Sequence, residues 1–236
     1  MIWNKMQEIL LREAAKECYD LVIVPVEEYL YGILNYPVRN SEKIRRVLRS
    51  SINQMLGRND YLGQSKITMG LGTAVKRPEE ITGSFLRAQH ALAERIIEGT
   101  GKLLELDMDT EVLFDKKLVD KFARRIGTAL QTFNTEEIHS AVQECCREAM
   151  DTPGVHGWEI LELVRQCGSL FIMRMDFQNK TELSSEFTRN CLNCTSVRGL
   201  FDYLLDFMME KVKDVYKRQI LSPFCDLKMT DIIKKT

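Results

Sequence analysis

The sequence predicts an α+β protein whose first half is α/β and whose second half is entirely helical. Apolar runs of strand length at 21–26, 29–36 and 67–71 are separated by segments with helical periodicity. Beyond about residue 110 only helical periodicity remains. Strands that alternate with helices indicate an α/β layer structure, whereas successive amphipathic helices without strands indicate a bundle.

The first elements are a helix and a β-hairpin. Residues 1–18 place apolar side chains on one helical face, and the runs 21–26 and 29–36 predict two strands joined by an acidic tip. Pro25 in the first strand favours an edge position, because proline donates no hydrogen bond to a ladder.

Two helices and two strands complete the first half. The helix over 41–57 is expected to begin at an Asn40 or Ser41 cap. The strand at 67–71 is followed by a helix over 78–98, and the run 103–106 predicts a last short strand. The apolar face of the second helix is expected to be buried against the strand that precedes it. The residues in this contact are Ile81, Phe85, Ala88 and Leu92 on the helix and Ile67, Met69 and Leu71 on the strand. We expect residues 19–106 to form one mixed sheet.

The second half predicts five helices. Their apolar faces cover about 118–133, 135–149, 158–175, 183–191 and 196–215. A loop at 151–154 separates the second and third of them.

Composition narrows the class of protein. Of 236 residues, 44% are hydrophobic and 28% are charged, which is ordinary for a globular chain. Lys and Arg number 33 against 34 Asp and Glu, so the basic excess of a free-standing DNA-binding domain is missing. With no apolar run near the roughly 20 residues of a membrane span and no signal-peptide pattern, we expect a cytoplasmic protein. The seven cysteines, among them Cys145, Cys167 and Cys191, fall mostly in helical apolar patterns and favour reduced, buried thiols.

Residues 67–99 carry a distributed pattern of a glycine-containing strand and a helix with small residues one turn apart. The pattern consists of Gly70, Gly72, Ser84, Ala88, Leu92, Arg95 and Gly99. It resembles the degenerate GGDEF-like domains in the middle of AraC-type response regulators and of sugar-diacid and purine-catabolism regulators. Phe85 stands where those domains usually have tyrosine. The small side chains of Ser84 and Ala88 are expected to let the helix approach the sheet closely.

The second half is similar to the helical linker bundle of the AraC-type response regulators, at 129–142 and 196–204. The resemblance implies a degenerate GGDEF-like domain over 1–108 that lacks its first strand, and a helical linker over 109–213. It also implies a fragment without the family's receiver and helix-turn-helix domains. The segment 214–236 begins with a hexapeptide that resembles read-through ends of environmental gene fragments, so we expect it not to be native continuation.

The hairpin tip decides between regulation and catalysis. Active diguanylate cyclases carry Gly-Gly-(Asp/Glu)-Glu-Phe there, so that the backbone closes on the nucleotide and the acids hold metal ions. By position Pro25, Val26, Glu27, Glu28 and Tyr29 occupy that loop, and both glycines are replaced. We therefore expect no catalytic residue, cofactor or metal. A solvated acidic tip is favoured, and a vestigial ligand pocket is the alternative.

The resemblance implies a non-catalytic relay segment of a bacterial two-component transcription regulator. Its partners would be the receiver and DNA-binding domains of the parent protein, a sensor histidine kinase through the receiver, DNA through the DNA-binding domain, and a second copy of itself, without a membrane. Two alternatives stay open: a divergent nucleotide-binding or cyclase domain, and a stand-alone protein-interaction module.

Other motifs favour structural roles. Cys191 and Cys194 lack the second pair that a zinc site needs. The three histidines, His90, His139 and His156, are scattered and are expected to be satisfied or exposed. The glycine-rich turn 99–102 follows a helix and predicts a helix cap instead of a phosphate loop. The basic residues of the last helix suit a helix C-terminus; they are Lys211, Lys213, Lys217 and Arg218.

Overall fold

The computed structural model divides the chain into two compact units, Met1–Thr110 and Glu111–Thr236. The structure describes residues 2–27, 29–57, 67–106, 116–132 and 134–233. The chain is a mixed α+β protein.

The first unit contains four helices and four strands in its described residues. In chain order they are α1 (Ile2–Ala14), β1 (Asp20–Val26), β2 (Tyr29–Asn35), α2 (Ser41–Leu56), β3 (Met69–Leu71), α3 (Ile81–Ala93), the single turn α4 (Arg95–Glu98) and β4 (Leu103–Glu105). Short 3-10 turns, Val38–Asn40 and Pro78–Glu80, precede α2 and α3. Asn40 is the residue before α2, but its side chain donates to the Glu17 carbonyl at 3.1 Å instead of capping the helix.

The strands β1 and β2 form the predicted antiparallel hairpin. Its register pairs Leu21 with Leu34 and Ile23 with Gly32. The face that contains these residues lies on a core built by the inner sides of α1 and α2. The buried members of that core are Met6, Ile9, Leu10, Ile23, Ile44, Leu48 and Met55.

The prediction of one mixed sheet over 19–106 is wrong for the described residues. β1 pairs with β2, and β3 pairs in parallel with β4, so two separate two-stranded sheets form. Met69, Leu71 and Leu103 pack on the same core as the hairpin. An apolar pattern predicts which residues seek a core, and two strand pairs can share a core without sharing a ladder.

The helix α3 covers the glycine face of β3. A Cβ placed on Gly70 would lie 2.1 Å from the Ala88 carbonyl oxygen, and one on Gly72 would lie 2.1 Å from the Ser84 carbonyl oxygen. Such distances are possible only for glycine, so helix and strand backbones are in direct contact. The expected close approach at Ser84 and Ala88 is therefore confirmed.

The predicted burial of Ile81 and Phe85 is wrong, because both side chains are exposed. Alternation along β3 explains the error. Met69 and Leu71 point into the core that α1 and α2 share, whereas α3 lies on the opposite, glycine face. Ala88 and Leu92 are half-buried, and the helix backbone at these two residues lies against Gly70.

The described residues of the second unit form five helices joined by short loops, with no strand among them. Its helices are α5 (Lys116–Gln131), α6 (Thr135–Asp151), α7 (Gly157–Arg174), α8 (Lys180–Asn193) and α9 (Val197–Ile233). Asn134 caps α6 by accepting a hydrogen bond from the Glu137 amide at 3.0 Å. The core combines aliphatic and aromatic residues, with Phe187 beside Phe207 at a ring distance of 4.7 Å.

No helix in the described part of the chain has the length and apolar character needed to cross a membrane.

Candidate functional site

The hairpin tip is a two-residue turn. The ladder continues through the pair of Pro25 with Leu30 to the pair of Val26 with Tyr29. Glu27 is exposed and has a φ of 51°, in the left-handed region that a two-residue hairpin turn requires at its first position and that glycine or asparagine occupies most easily. Glu28 lies outside the described residues.

The tip supplies an exposed carboxylate, and the described residues provide no metal site around it. Nowhere in the described ranges do three His, Cys, Asp or Glu side chains come close enough to hold a metal ion. In the hairpin tip the residue with a positive φ is Glu27, whereas a phosphate-binding loop would have a glycine in that conformation. The geometry is that of a tight turn.

Tyr29 belongs to the outward face of the hairpin and not to a pocket at the tip. Its ring lies 6.1 Å from the ring of Tyr31, which lies 5.2 Å from the ring of Phe85 on α3. Of the proposed vestigial ligand residues, the structure therefore places Glu27 in solvent and Tyr29 in an aromatic row.

The residues of the 67–99 pattern lie at two places, the contact of β3 with α3 and the end of α4. Beside the two glycines, the Ser84 hydroxyl donates to the Thr73 carbonyl at 2.7 Å. The buried Arg95 guanidinium donates to the Leu92 carbonyl at 3.0 Å, which ties α4 to the end of α3. Gly99 follows α4 with a φ of 90° and ends the helix. These residues build a packing unit, and the 99–102 turn is a helix cap as predicted.

Three of the described cysteines behave as buried apolar side chains. Cys145, Cys167 and Cys191 are buried and no cysteine in the described part of the chain forms a disulfide. Burial, with a smaller effect of Cys194, raises the pKa of Cys191 to about 12. Because a thiolate is the reactive form, this Cys-x-x-Cys pair has the opposite electrostatics of a redox motif.

One histidine has a structural role that the sequence reasoning missed. His156 precedes α7 and forms a capping box with Glu159, whose carboxylate accepts from the His156 amide at 2.8 Å. The glutamate three residues into the helix is the signal that could have revealed it. His139 is exposed, and burial, followed by the nearby Arg87 charge, lowers the pKa of the half-buried His90.

Ion pairs between α5 and α6 were also missed. Lys121 Nζ lies 2.8 Å from a Glu144 carboxylate oxygen and also contacts Glu148, and Arg125 contacts Glu144 and Glu137. The hydrogen bond to Glu144 is the main cause that raises the pKa of Lys121. Charges of both signs occur on many helix surfaces, so only the observed packing identifies these partners.

The basic residues Lys211, Lys213, Lys217 and Arg218 lie within α9, which continues to Ile233, so the predicted helix end at these residues is wrong. Lys211 lies 2.9 Å from a Glu210 carboxylate oxygen, with its amine 5.8 Å from the centre of the Phe207 ring. The side chains of Lys217 and Arg218 lie outside the described residues.

Comparison of the chain with protein-family models, with curated proteins and with solved structures found no match.

Proposed function

We propose that the chain is a non-catalytic regulatory segment of a bacterial AraC-type response regulator. In this proposal a degenerate GGDEF-like domain and a helical bundle relay a signal between a receiver domain and a DNA-binding domain. The observation that carries the non-catalytic part is the hairpin ladder, which extends through Pro25 and Val26. These residues stand where a diguanylate cyclase has its two glycines.

The chemistry of a phosphate cradle explains why this observation matters. A cradle presents several backbone N–H groups that converge on the phosphate oxygens. Pro25 has no N–H, and Val26 is held in an extended ladder opposite Tyr29. The tip thus has an acidic residue, but the backbone of Pro25 and Val26 beside it is used for strand pairing and does not converge on a phosphate.

The other signature residues support a role that depends on a stable fold. Gly70 and Gly72 are used for backbone contact with α3, and Gly99 is used to end α4. An α/β unit followed by a helical unit is also the order that the resemblance implies. Under this proposal the partners are the receiver and DNA-binding domains of the parent protein and a sensor kinase that acts on the receiver, and the protein is cytoplasmic.

The test is titration calorimetry of the purified chain with GTP in the presence of Mg²⁺ and then of Mn²⁺. We expect no saturable, metal-dependent heat for the chain or for the double variant Glu27→Ala with Glu28→Ala, because the tip offers carboxylates without an anion-binding backbone. ATP serves as the control for non-specific nucleotide binding.

Tight, metal-dependent GTP binding that the double variant loses would overturn the proposal and favour a divergent nucleotide-binding domain. Reading the coding sequence on both sides separates relay from a stand-alone module. We expect an in-frame receiver domain upstream and a pair of helix-turn-helix units downstream.

A further inference from the structure

The hairpin has a second apolar face that points away from the α1–α2 core. We call it the outer hairpin face and define it by three cross-strand pairs: Val22 with Ile33, Val24 with Tyr31, and Val26 with Tyr29. The four aliphatic members are exposed by 47% to 55%. A strand pair that is apolar on both faces is typical of a sheet covered on both sides.

The helix α3 borders this face on one side. Phe85 contacts Tyr31 at a ring distance of 5.2 Å while 41% of its surface stays accessible. Ile81, one turn earlier on α3, is 38% exposed. The apolar surface therefore continues from the hairpin onto the helix.

The charge and area of this surface suit a second copy of the chain. None of its eight side chains is charged at neutral pH, and the flanking Asp20 and Glu27 lie at the two ends of the hairpin, so the centre of the face can meet a second copy without burying a like-charged pair. At roughly 150 Å² for a whole side chain, the exposed fractions amount to about 450 Å² per copy. About 60% of a protein–protein interface is apolar, so an interface whose apolar part is this surface would bury about 750 Å² per copy and about 1,500 Å² in total, with polar surface around it. That area is within the range of about 1,200–2,000 Å² for stable complexes.

We propose that two copies of the chain associate through their outer hairpin faces about a two-fold axis. The same face then serves both partners, and packed sheets lie about 10 Å apart. This inference does not rest on the regulatory proposal, because the hairpin presents the same face whatever signal the chain carries.

The experiment measures the mass of the full chain by analytical ultracentrifugation between about 1 and 200 μM, which brackets micromolar affinity. We expect the wild type to double its mass with concentration. Val24→Lys, at the centre of the face, is expected to stay monomeric because two lysines would be buried face to face. Val38→Lys and Met173→Lys are the controls, since these side chains are 75% and 72% exposed outside the face; both should dimerise like the wild type.

A charge exchange tests the two-fold arrangement itself. Mixing Val24→Lys with Val24→Glu should restore a dimer that neither variant forms alone, because opposite charges then meet near the axis. Circular dichroism verifies that each variant is folded. A wild type that is monomeric at about 200 μM, or a Val24→Lys variant that still dimerises, overturns the proposal and leaves the outer hairpin face to a different partner.

Discussion

The two strand pairs of the first unit have similar apolar character, but they differ in how many of their faces have helices packed on them. Helices flank β3 on both sides: α1 and α2 share the core that Met69 and Leu71 enter, and α3 lies on Gly70 and Gly72. The hairpin β1–β2 has helices on one face, and its outer face is half-exposed. Apolar alternation alone therefore does not decide whether a face is buried.

The difference shows that side-chain size determines how closely a helix can approach a strand. Along β3 the face toward α3 carries two glycines, and the backbones touch. The equivalent positions of β1 carry three valines, which keep any covering element at side-chain distance. Substitutions in the two pairs should consequently have unequal costs.

The largest effect is expected for Gly70→Ala. A methyl group there would lie 2.1 Å from the Ala88 carbonyl oxygen and 2.7 Å from the Leu92 amide nitrogen, so α3 must move. We expect a loss of about 3 kcal/mol in the free energy of unfolding, measured by urea denaturation.

Gly32→Ala is the matched control in the hairpin. Its new methyl group would meet its nearest atom, the Val22 carbonyl oxygen, at 3.7 Å. Because this is an ordinary contact, we expect a change within about 1 kcal/mol, in the stabilising direction if chain entropy dominates. Equal losses for the two variants would contradict the direct backbone contact that distinguishes Gly70 from Gly32.

A smaller effect is expected for Phe85→Ala. The ring lies at the border of the two regions, is 41% exposed and contacts Tyr31. We expect a loss of about 1–2 kcal/mol, well below the roughly 3–5 kcal/mol typical of a buried phenylalanine.

A double-mutant cycle with Tyr31→Ala isolates the ring contact. Its coupling energy should be about 0.5–1.5 kcal/mol, and denaturation of the four proteins measures it. A Phe85→Ala loss above about 3 kcal/mol would mean that α3 buries this ring after all.

The smallest effect is expected at the tip of the hairpin, with Glu27→Gly. Glycine adopts a φ of 51° without the steric cost that Glu27 bears, so we expect stabilisation by about 0.5–1 kcal/mol. Glu27→Ala removes the charge but keeps the conformational cost and should change stability by less than about 0.5 kcal/mol. Destabilisation by glycine would show that the Glu27 side chain makes a needed contact.

Local features were the ones that the sequence predicted well. The hairpin strands and the turn at Gly99 each depend on a few consecutive residues, and each is present. The buried Cys145, Cys167 and Cys191 also followed from helical spacing.

Apart from the close approach of α3 to β3 at Ser84 and Ala88, features that depend on distant partners were not predicted. Helical spacing predicted that Phe85 is buried with Ala88 and Leu92, but the ring is exposed. Spacing within a helix carries no information on which part of that helix the sheet covers. The predicted pairing of β3 with the hairpin is wrong, because an alternating apolar pattern identifies a strand but not its hydrogen-bonded neighbour. The Lys121 and Arg125 ion pairs depend on which face of α6 meets α5.

The glycine contact also sets a register between strand and helix. Two residues of a strand span about 6.6 Å, and four residues of a helix rise about 6 Å. The step from Gly70 to Gly72 therefore matches the step from Ala88 back to Ser84, and each glycine Cα lies within about 3.6 Å of one helix carbonyl oxygen, the range of a Cα–H···O hydrogen bond. Sliding α3 by a single residue would break both weak hydrogen bonds at once. The Cα hydrogens of Gly70 and Gly72 therefore fix the position of the helix along its strand.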